Sequence, residues 1–459
     1  MMTFFSIPRV IISSHRGGAG KTIFTLLLIS LLNERGYQVA PFKKGPDYID
    51  AGWLGRVAQK PCRNLDLFLF DAEHNLFSFY KGCQGCDIAI VEGNRGLFDG
   101  VDVEGSCSTG RMSKLLKAPI ILVLDCTKAT RSMAALLKGF IEFDQDLRIR
   151  GAILNNIANP RHESIIRNSI ERYTDVSVLG VIPRFKEIVK ERHLGLITSF
   201  EEKLNFLEQL KEIASNNIDI EKIIEIAKSA PALKISENIE STKKKYKLKI
   251  GVFLDPAFQF YYPENLESLI NYGAEPIFIN SLENNKIPSE VSALYLGGGF
   301  PEIYAEKLAE NENLRRDIKY LIEEGMPVYA ECGGLMFLGE EIEWQGKKFP
   351  MVGLLPIKFK IAKKPYGHGY VIAKVIKHNP YFPLGDTIKG HEFHYSFPSQ
   401  IELKREMQFV FQLEKGVGLD GKHDGIIYKN LLASYTHIHV FSVKYWAKNF
   451  LELAERFLK

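Results

Sequence analysis

The sequence predicts an α/β protein of two consecutive doubly wound domains, and three observations carry that expectation. Short β-branched runs alternate with amphipathic stretches along the first half of the chain, as in strand–helix–strand units. The runs are apolar throughout instead of alternating with polar residues, which suits strands covered on both faces of a parallel sheet. The pattern breaks near residue 230 and restarts near 248, across a stretch without sustained periodicity. Domains at 1–229 and 248–459, joined by a linker at 230–247, follow from this break.

In chain order, "RVIISS", "YQVAPFK", "DIAIVEG", "APIILVLD", "RGAILNN" and "VLGVIPR" read as strands, and "TIFTLLLISLLNERG" and "IDIEKIIEIAK" as helices. The linker "SAPALKISENIESTKKKYK" mixes small, polar and charged residues. Beyond it, "LKIGVFL", "AEPIFIN", "SALYLGGG" and "PVYAECGG" read as strands, with "NLESLINYG" and "NLRRDIKYLIEEG" as helices between them. Functional loops in such folds sit at the carboxyl ends of the strands.

Composition narrows the function. The 459 residues are 46% hydrophobic and 11% aromatic, ample for two buried cores. A net charge of +4, with acids and bases interspersed, gives no support for a nucleic-acid partner, and "KKKYKLK" reads as a solvated linker edge. No apolar run approaches the ~20 residues of a membrane span, and the N-terminus lacks the pattern of a signal peptide, so a cytoplasmic enzyme with no membrane partner is expected. Six cysteines in so long a chain form no disulfide framework, and Cys83 and Cys86 supply only two of the four ligands of a structural zinc site.

The stretch "VIISSHRGGAGKTIFT" has the form of a phosphate-binding loop between strand and helix, although His15 stands where the usual pattern has its first glycine. Gly17, Gly18 and Gly20 let backbone N–H groups approach a triphosphate, Lys21 neutralises its terminal phosphates, and the Thr22 hydroxyl reaches a magnesium ion. Arg16 occupies the place of the signature lysine in ATPases related to MinD and nitrogenase iron protein. That leaves two readings open for His15 and Arg16: a variation in loop wrapping, or a contact to a second subunit's nucleotide in a homodimer. "PFKKGPDYIDAGW" brings Lys43, Asp47 and Asp50, and "IAIVEGNRGLFDG" brings Glu92 and Asp99. A hard cation between phosphates takes oxygen ligands from separate strand ends, so Thr22, Asp47 and Glu92 are the expected metal set. Asp50 and Asp99 read equally well as solvated turn carboxylates.

These motifs, with "RNLDLFLF", "GAILNN", "ERYTDVSVLGVIPR" and "KERHLGL" in this order, resemble the synthetase half of the cobyrinate a,c-diamide synthases, whose fold is similar to dethiobiotin synthetase. The resemblance implies a P-loop ATP site with Thr22, Asp47 and Glu92 on magnesium. It further places Lys21 and Lys43 towards phosphate and the reacting carboxylate, and Asn155 near the adenine.

In the second half, "PVYAECGGLMFLG" places Cys332 between an apolar strand and a helical run, the form of a nucleophile elbow whose helix N-terminus should lower the thiol pKa. "ASYTHIHVF" supplies His437 and His439 as distant bases, and Gly297, Gly298 and Gly299 of "LYLGGGFPEIYA" can aim N–H groups at an oxyanion. Together these resemble the class I glutamine amidotransferase domain of cobyrinic acid amidating enzymes, with its flavodoxin-like fold. By that resemblance His437 is the base, and His439 stands where other class I enzymes carry an orienting glutamate. His391, Glu392 and His394 also match the family, but spacing supplies no further ligand that would make them a metal site.

Ammonia released from glutamine beside a magnesium–ATP site implies an amide ligase acting through an acyl phosphate. The resemblance supplies the substrate, cobyrinic acid, amidated on its a and c acetates in anaerobic cobalamin biosynthesis. Hydrogenobyrinic acid and nickel-sirohydrochlorin are the alternative macrocycles. A MinD-like ATPase regulator with an inactive amidase domain is the alternative from another class, and intact Cys332 and His437 speak against it.

Overall fold

A computed structural model describes residues 2–184, 205–236 and 246–459. It divides into two compact units, Met1–Ile239 and Glu240–Lys459. The motif "KERHLGL" lies outside the described residues.

The first unit contains strands β1 (Met2–Phe5), β2 (Arg9–Ser14), β3 (Val39–Lys44), β4 (Arg63–Leu65), β5 (Ile88–Glu92), β6 (Ile120–Asp125), β7 (Ile149–Ile157), β8 (Ser177–Pro183) and β9 (Leu233–Ser236). Seven of them form one sheet in the order β4-β3-β5-β2-β6-β7-β8, every neighbour parallel. Residues of β2, β3 and β5 are buried on both faces, which is why these segments read as unbroken apolar runs. Side chains alternate between two cores: Val10 and Ile12 pack with Leu27 and Leu28 of helix α1 (Lys21–Glu34), while Ile11 packs with Met112 and Leu116. One expectation needs correcting. Residues 233–236, expected in the linker, are β9, paired antiparallel with β1 at the chain start. They were misread because Leu233 and Ile235 are only two apolar positions, too few to show a period, and their burial depends on a partner more than two hundred residues away.

In the second unit, β10 (Leu248–Phe253), β11 (Ala274–Ile279), β12 (Val291–Leu296), β13 (Val328–Glu331) and the strand Leu431–Ser434 run parallel. The sheet then continues antiparallel through four longer strands between Gly367 and Tyr428 and ends on His437–Ile438, making ten strands. The same alternation recurs, with Leu294 and Leu296 in one core and Ala293 and Tyr295 in the other. Tyr295, Tyr329 and Trp446 pack edge to face at 5.2–5.9 Å between centroids. No helix among the described residues is long and apolar enough to cross a membrane.

Candidate active sites

The nucleotide loop leaves the carboxyl end of β2 and enters α1, beside the point where the order reverses between β5 and β6. Gly20 caps α1 at φ 94°, and a Cβ there would stand 2.2 Å from the Asn155 amide nitrogen. Only glycine fits a left-handed residue approached so closely. Asn155, on β7, donates to the Ala19 carbonyl at 2.9 Å, so its amide fastens the loop from behind.

Lys21 is buried, its ammonium donating to Ser14 Oγ at 2.9 Å and to the Arg95 carbonyl at 2.7 Å. Burial, then the nearby Lys43 charge, lower its pKa to about 8. A lysine in a desolvated slot whose two hydrogen-bond acceptors are both neutral would gain from a phosphate. Thr22 Oγ1 donates to Glu92 Oε1 at 2.8 Å, and Lys43 reaches the same oxygen at 2.6 Å and Asp50 at 2.5 Å. Register explains the meeting, since Lys43 and Glu92 are paired across β3 and β5. Burial opposes the Lys43 charge, but Asp50 and Glu92 outweigh it and hold its pKa above the usual lysine range. The other Glu92 oxygen, Oε2, is buried with no hydrogen-bond partner among the described residues, and burial raises the carboxyl's pKa. An orphaned carboxylate oxygen beside a threonine hydroxyl fits a hard cation.

Asp47 has a second occupation. Its Oδ1 accepts from the N–H groups of Ile49 at 2.8 Å and Asp50 at 3.1 Å, capping helix α2 (Tyr48–Ala58). Burial and neighbouring Asp50 push its pKa up to about 7. Asp99 likewise accepts from a turn, the Gly96 N–H at 2.8 Å. Arg16 turns to Asp125 at the end of β6 within the same chain. Burial pushes Asp125 up, yet hydrogen bonds from Thr127 and Asn156, with Arg16, hold it at about 2. The His15 ring is half-buried, and burial followed by the Arg16 charge lowers its pKa. Past the ends of β6 to β8 lies a cavity of about 420 Å³ lined by Thr127, Asn156, Asn159, His162 and Arg184 among others.

In the second unit, β13 delivers Cys332 at φ 47° and ψ −97°, a conformation L-residues avoid. The elbow is as expected, but the thiol is not activated in the way expected. Burial, with the Glu302 charge behind it, pushes the Cys332 pKa up. The backbone of Gly333, which opens the helix Gly333–Leu338, lowers it, but by less than burial raises it. Glu302 is itself buried, its pKa raised to about 7 by that burial.

The oxyanion loop closes on both partners. A Cβ on Gly298 would stand 2.4 Å from Cε1 and 3.1 Å from Nε2 of His437, and one on Gly333 would stand 3.0 Å from the Gly299 nitrogen. The Gly297 N–H is already engaged, donating to Tyr261 Oη at 2.7 Å. His437 pairs with His391 across two antiparallel strands, their rings stacked at 4.9 Å. His437 Nδ1 lies 3.5 Å from Glu331 Oε2, while His439 Nε2 lies 3.5 Å from Glu264 Oε2. The Glu392 carboxylate takes the N–H groups of Val417 and Gly418 at 2.6 and 2.9 Å and lies 3.4 Å from His394, whose ring stacks on Tyr435 at 3.7 Å. Among the described residues no group of three or more His, Cys, Asp or Glu is placed to hold a metal. Glu331, Tyr261, Glu264 and Glu302 were not legible as site residues: each sits within or beside a motif, but its side-chain direction depends on distant segments.

Residues 10–196 match the CobQ/CobB/MinD/ParA nucleotide binding domain, and residues 249–445 the CobB/CobQ-like glutamine amidotransferase domain. A cobyrinate a,c-diamide synthase of Archaeoglobus fulgidus is 42% identical over 453 residues, covering 98% of both chains. The chain belongs to the cobyrinate a,c-diamide synthase family. The enzyme of that name from Magnetococcus marinus is also 42% identical, over 96% of both chains, and that from Caldanaerobacter subterraneus 39%, over 97% of this chain. In this chain the matched nucleotide-binding domain includes the loop from Arg16 to Thr22, and the matched amidotransferase domain includes Cys332 and His437.

Proposed function

We propose that this protein is an ATP- and glutamine-dependent ligase that converts the a and c acetate carboxylates of cobyrinic acid to amides. The observation that carries the reading is the presence in one chain of a desolvated, anion-seeking Lys21 and of a cysteine elbow and a histidine that both border the Gly298–Gly299 loop, with 42% identity over nearly the full length to a synthase of that name.

In the amidotransferase unit, His437 Nε2 takes the Cys332 proton as the sulfur attacks the glutamine amide carbon. The N–H groups of Gly298 and Gly299 are the loop donors left for the oxyanion, since Gly297 is held by Tyr261. His437 then protonates the departing ammonia, and water cleaves the glutamyl thioester to glutamate.

In the synthetase unit, Lys21 exchanges Ser14 and Arg95 for the terminal phosphates of ATP. Thr22 Oγ1 and Glu92 Oε2 would hold magnesium, which neutralises phosphate charge when bound; Asp47 is the third oxygen donor we assign to it, through water or its second oxygen. Lys43 faces the substrate carboxylate, whose oxygen attacks the γ-phosphorus as ADP leaves. Ammonia displaces phosphate from the resulting acyl phosphate and leaves the amide. The cavity beside Asn156 and Arg184 is the space we assign to the base and ribose.

The test presents cobyrinic acid, hydrogenobyrinic acid and nickel-sirohydrochlorin separately with ATP, magnesium and glutamine, and reads products by mass. Cobyrinic acid is expected to lose about 2 Da, as two carboxylic acids become amides. No ATP- and glutamine-dependent product from any macrocycle would refute the ligase reading, and a product from another macrocycle alone would move the substrate.

A further inference from the structure

A buried carboxylate close to His437 belongs to the residue just before Cys332. His439, two residues beyond His437, is not directed at it: its Nε2 lies 3.5 Å from Glu264, and its Nδ1 accepts the Phe441 N–H at 3.2 Å. The carboxylate at His437 Nδ1 is Glu331, the last residue of β13 and the immediate predecessor of Cys332.

Three contacts fix Glu331 there. Its Oε1 accepts the Ile438 N–H at 3.0 Å, and its Oε2 accepts the Tyr295 hydroxyl at 3.1 Å while facing His437 Nδ1 at 3.5 Å. Asn265 completes the frame, donating to the Ile438 carbonyl at 2.9 Å and to Tyr295 Oη at 3.3 Å, and accepting the Val440 N–H at 2.8 Å. Glu331 and His437 are both fully buried. A buried carboxylate at Nδ1 selects the tautomer with its proton there, which leaves the Nε2 lone pair free. Nε2 is the nitrogen that points at Gly298 of the oxyanion loop.

We infer that Glu331 is the positioning residue of the glutaminase site, completing a Cys332–His437–Glu331 triad in which two members are adjacent in sequence. The strained Cys332 backbone, at φ 47°, turns the chain sharply just after Glu331, so that consecutive side chains leave the strand end in different directions. As the thiol proton moves to Nε2, the carboxylate stabilises the imidazolium, which the high pKa of the buried thiol makes necessary. The inference rests on the glutaminase reading of this domain.

Glu331→Gln in the full chain is the test. The amide keeps an acceptor for the Ile438 N–H and so preserves the scaffold, but it carries no charge and does not enforce the tautomer. Glutamine-dependent amidation is expected to fall on the order of 10²–10⁴-fold in kcat with little change in KM for glutamine. Ammonium-dependent amidation is expected to persist, which separates this result from failure of the ligase reading. Glu331→Asp should regain at least tenfold over the Gln variant, which a space-filling role would not produce, and it serves as the deciding variant if Gln does not fold. Glutamine-dependent rates within threefold of the parent for E331Q, or no recovery in E331D over E331Q, would overturn the assignment.

Discussion

Cys332 and Glu302 are both buried acids, and the Glu302 charge adds to burial in raising the thiol's cost of ionising; both residues have measurable consequences. Cys332→Ala should lower glutamine-dependent amidation by at least about a thousandfold while ammonium-dependent amidation continues, measured by product mass with either nitrogen source. Glu302 bears on stability. Its folded pKa of about 7 exceeds the ordinary 4.5, so its stabilising protonated form is fully present below about pH 4.5 and is lost as pH rises through 7. Glu302→Gln should therefore raise stability at pH 8 by roughly 3 kcal/mol and change it little at pH 4.5, read from denaturant unfolding at both values. Lys21 provides a third readout. With its pKa at about 8, phosphate binding must draw in a proton, so ATP binding at pH 8 should take up about half a proton more than in Lys21→Met, by calorimetry in buffers of different ionisation enthalpy.

The elements that carry the chemistry are turns at strand ends, and their backbones tolerate little change. Gly20→Ala would set a Cβ 2.2 Å from Asn155 at a φ of 94°, so ATP binding should be lost and the melting temperature lowered, checked by nucleotide titration and thermal denaturation. Gly298→Ala would push the His437 ring away and should abolish glutaminase activity while leaving ATP binding intact. How far these turns could be read from sequence differed. The loop from Gly17 to Thr22 and the Cys332 elbow were legible because local spacing alone builds them: glycine supplies positive φ, and an apolar strand precedes each. The antiparallel extension between Gly367 and Tyr428 was not, because its strands mix exposed and buried residues and are stabilised by cross-strand pairing.

At the scale of the whole chain, each unit closes its own two-sided core, so ligands should stabilise the units separately. A nonhydrolysable ATP analogue with magnesium at a hundredfold over Kd should raise the unfolding transition of the first unit by about 2.7 kcal/mol, and scanning calorimetry would resolve it from that of the second. The sequence by itself determined the alternating α/β architecture, the nucleotide loop and the cysteine elbow, since each follows from periodicity or from residue types packed within a dozen positions. Family membership was legible too, because ordered motifs span the chain. Only the tertiary structure decided which carboxylate serves which cation or imidazole. Asp47 proved to cap a helix, Asp50 and Glu92 to share Lys43, and Glu331, rather than His439, to lie against His437. The reason is reach: a side chain's partner is set by strand register and by burial against residues more than a hundred positions away, and neither leaves a trace in local spacing.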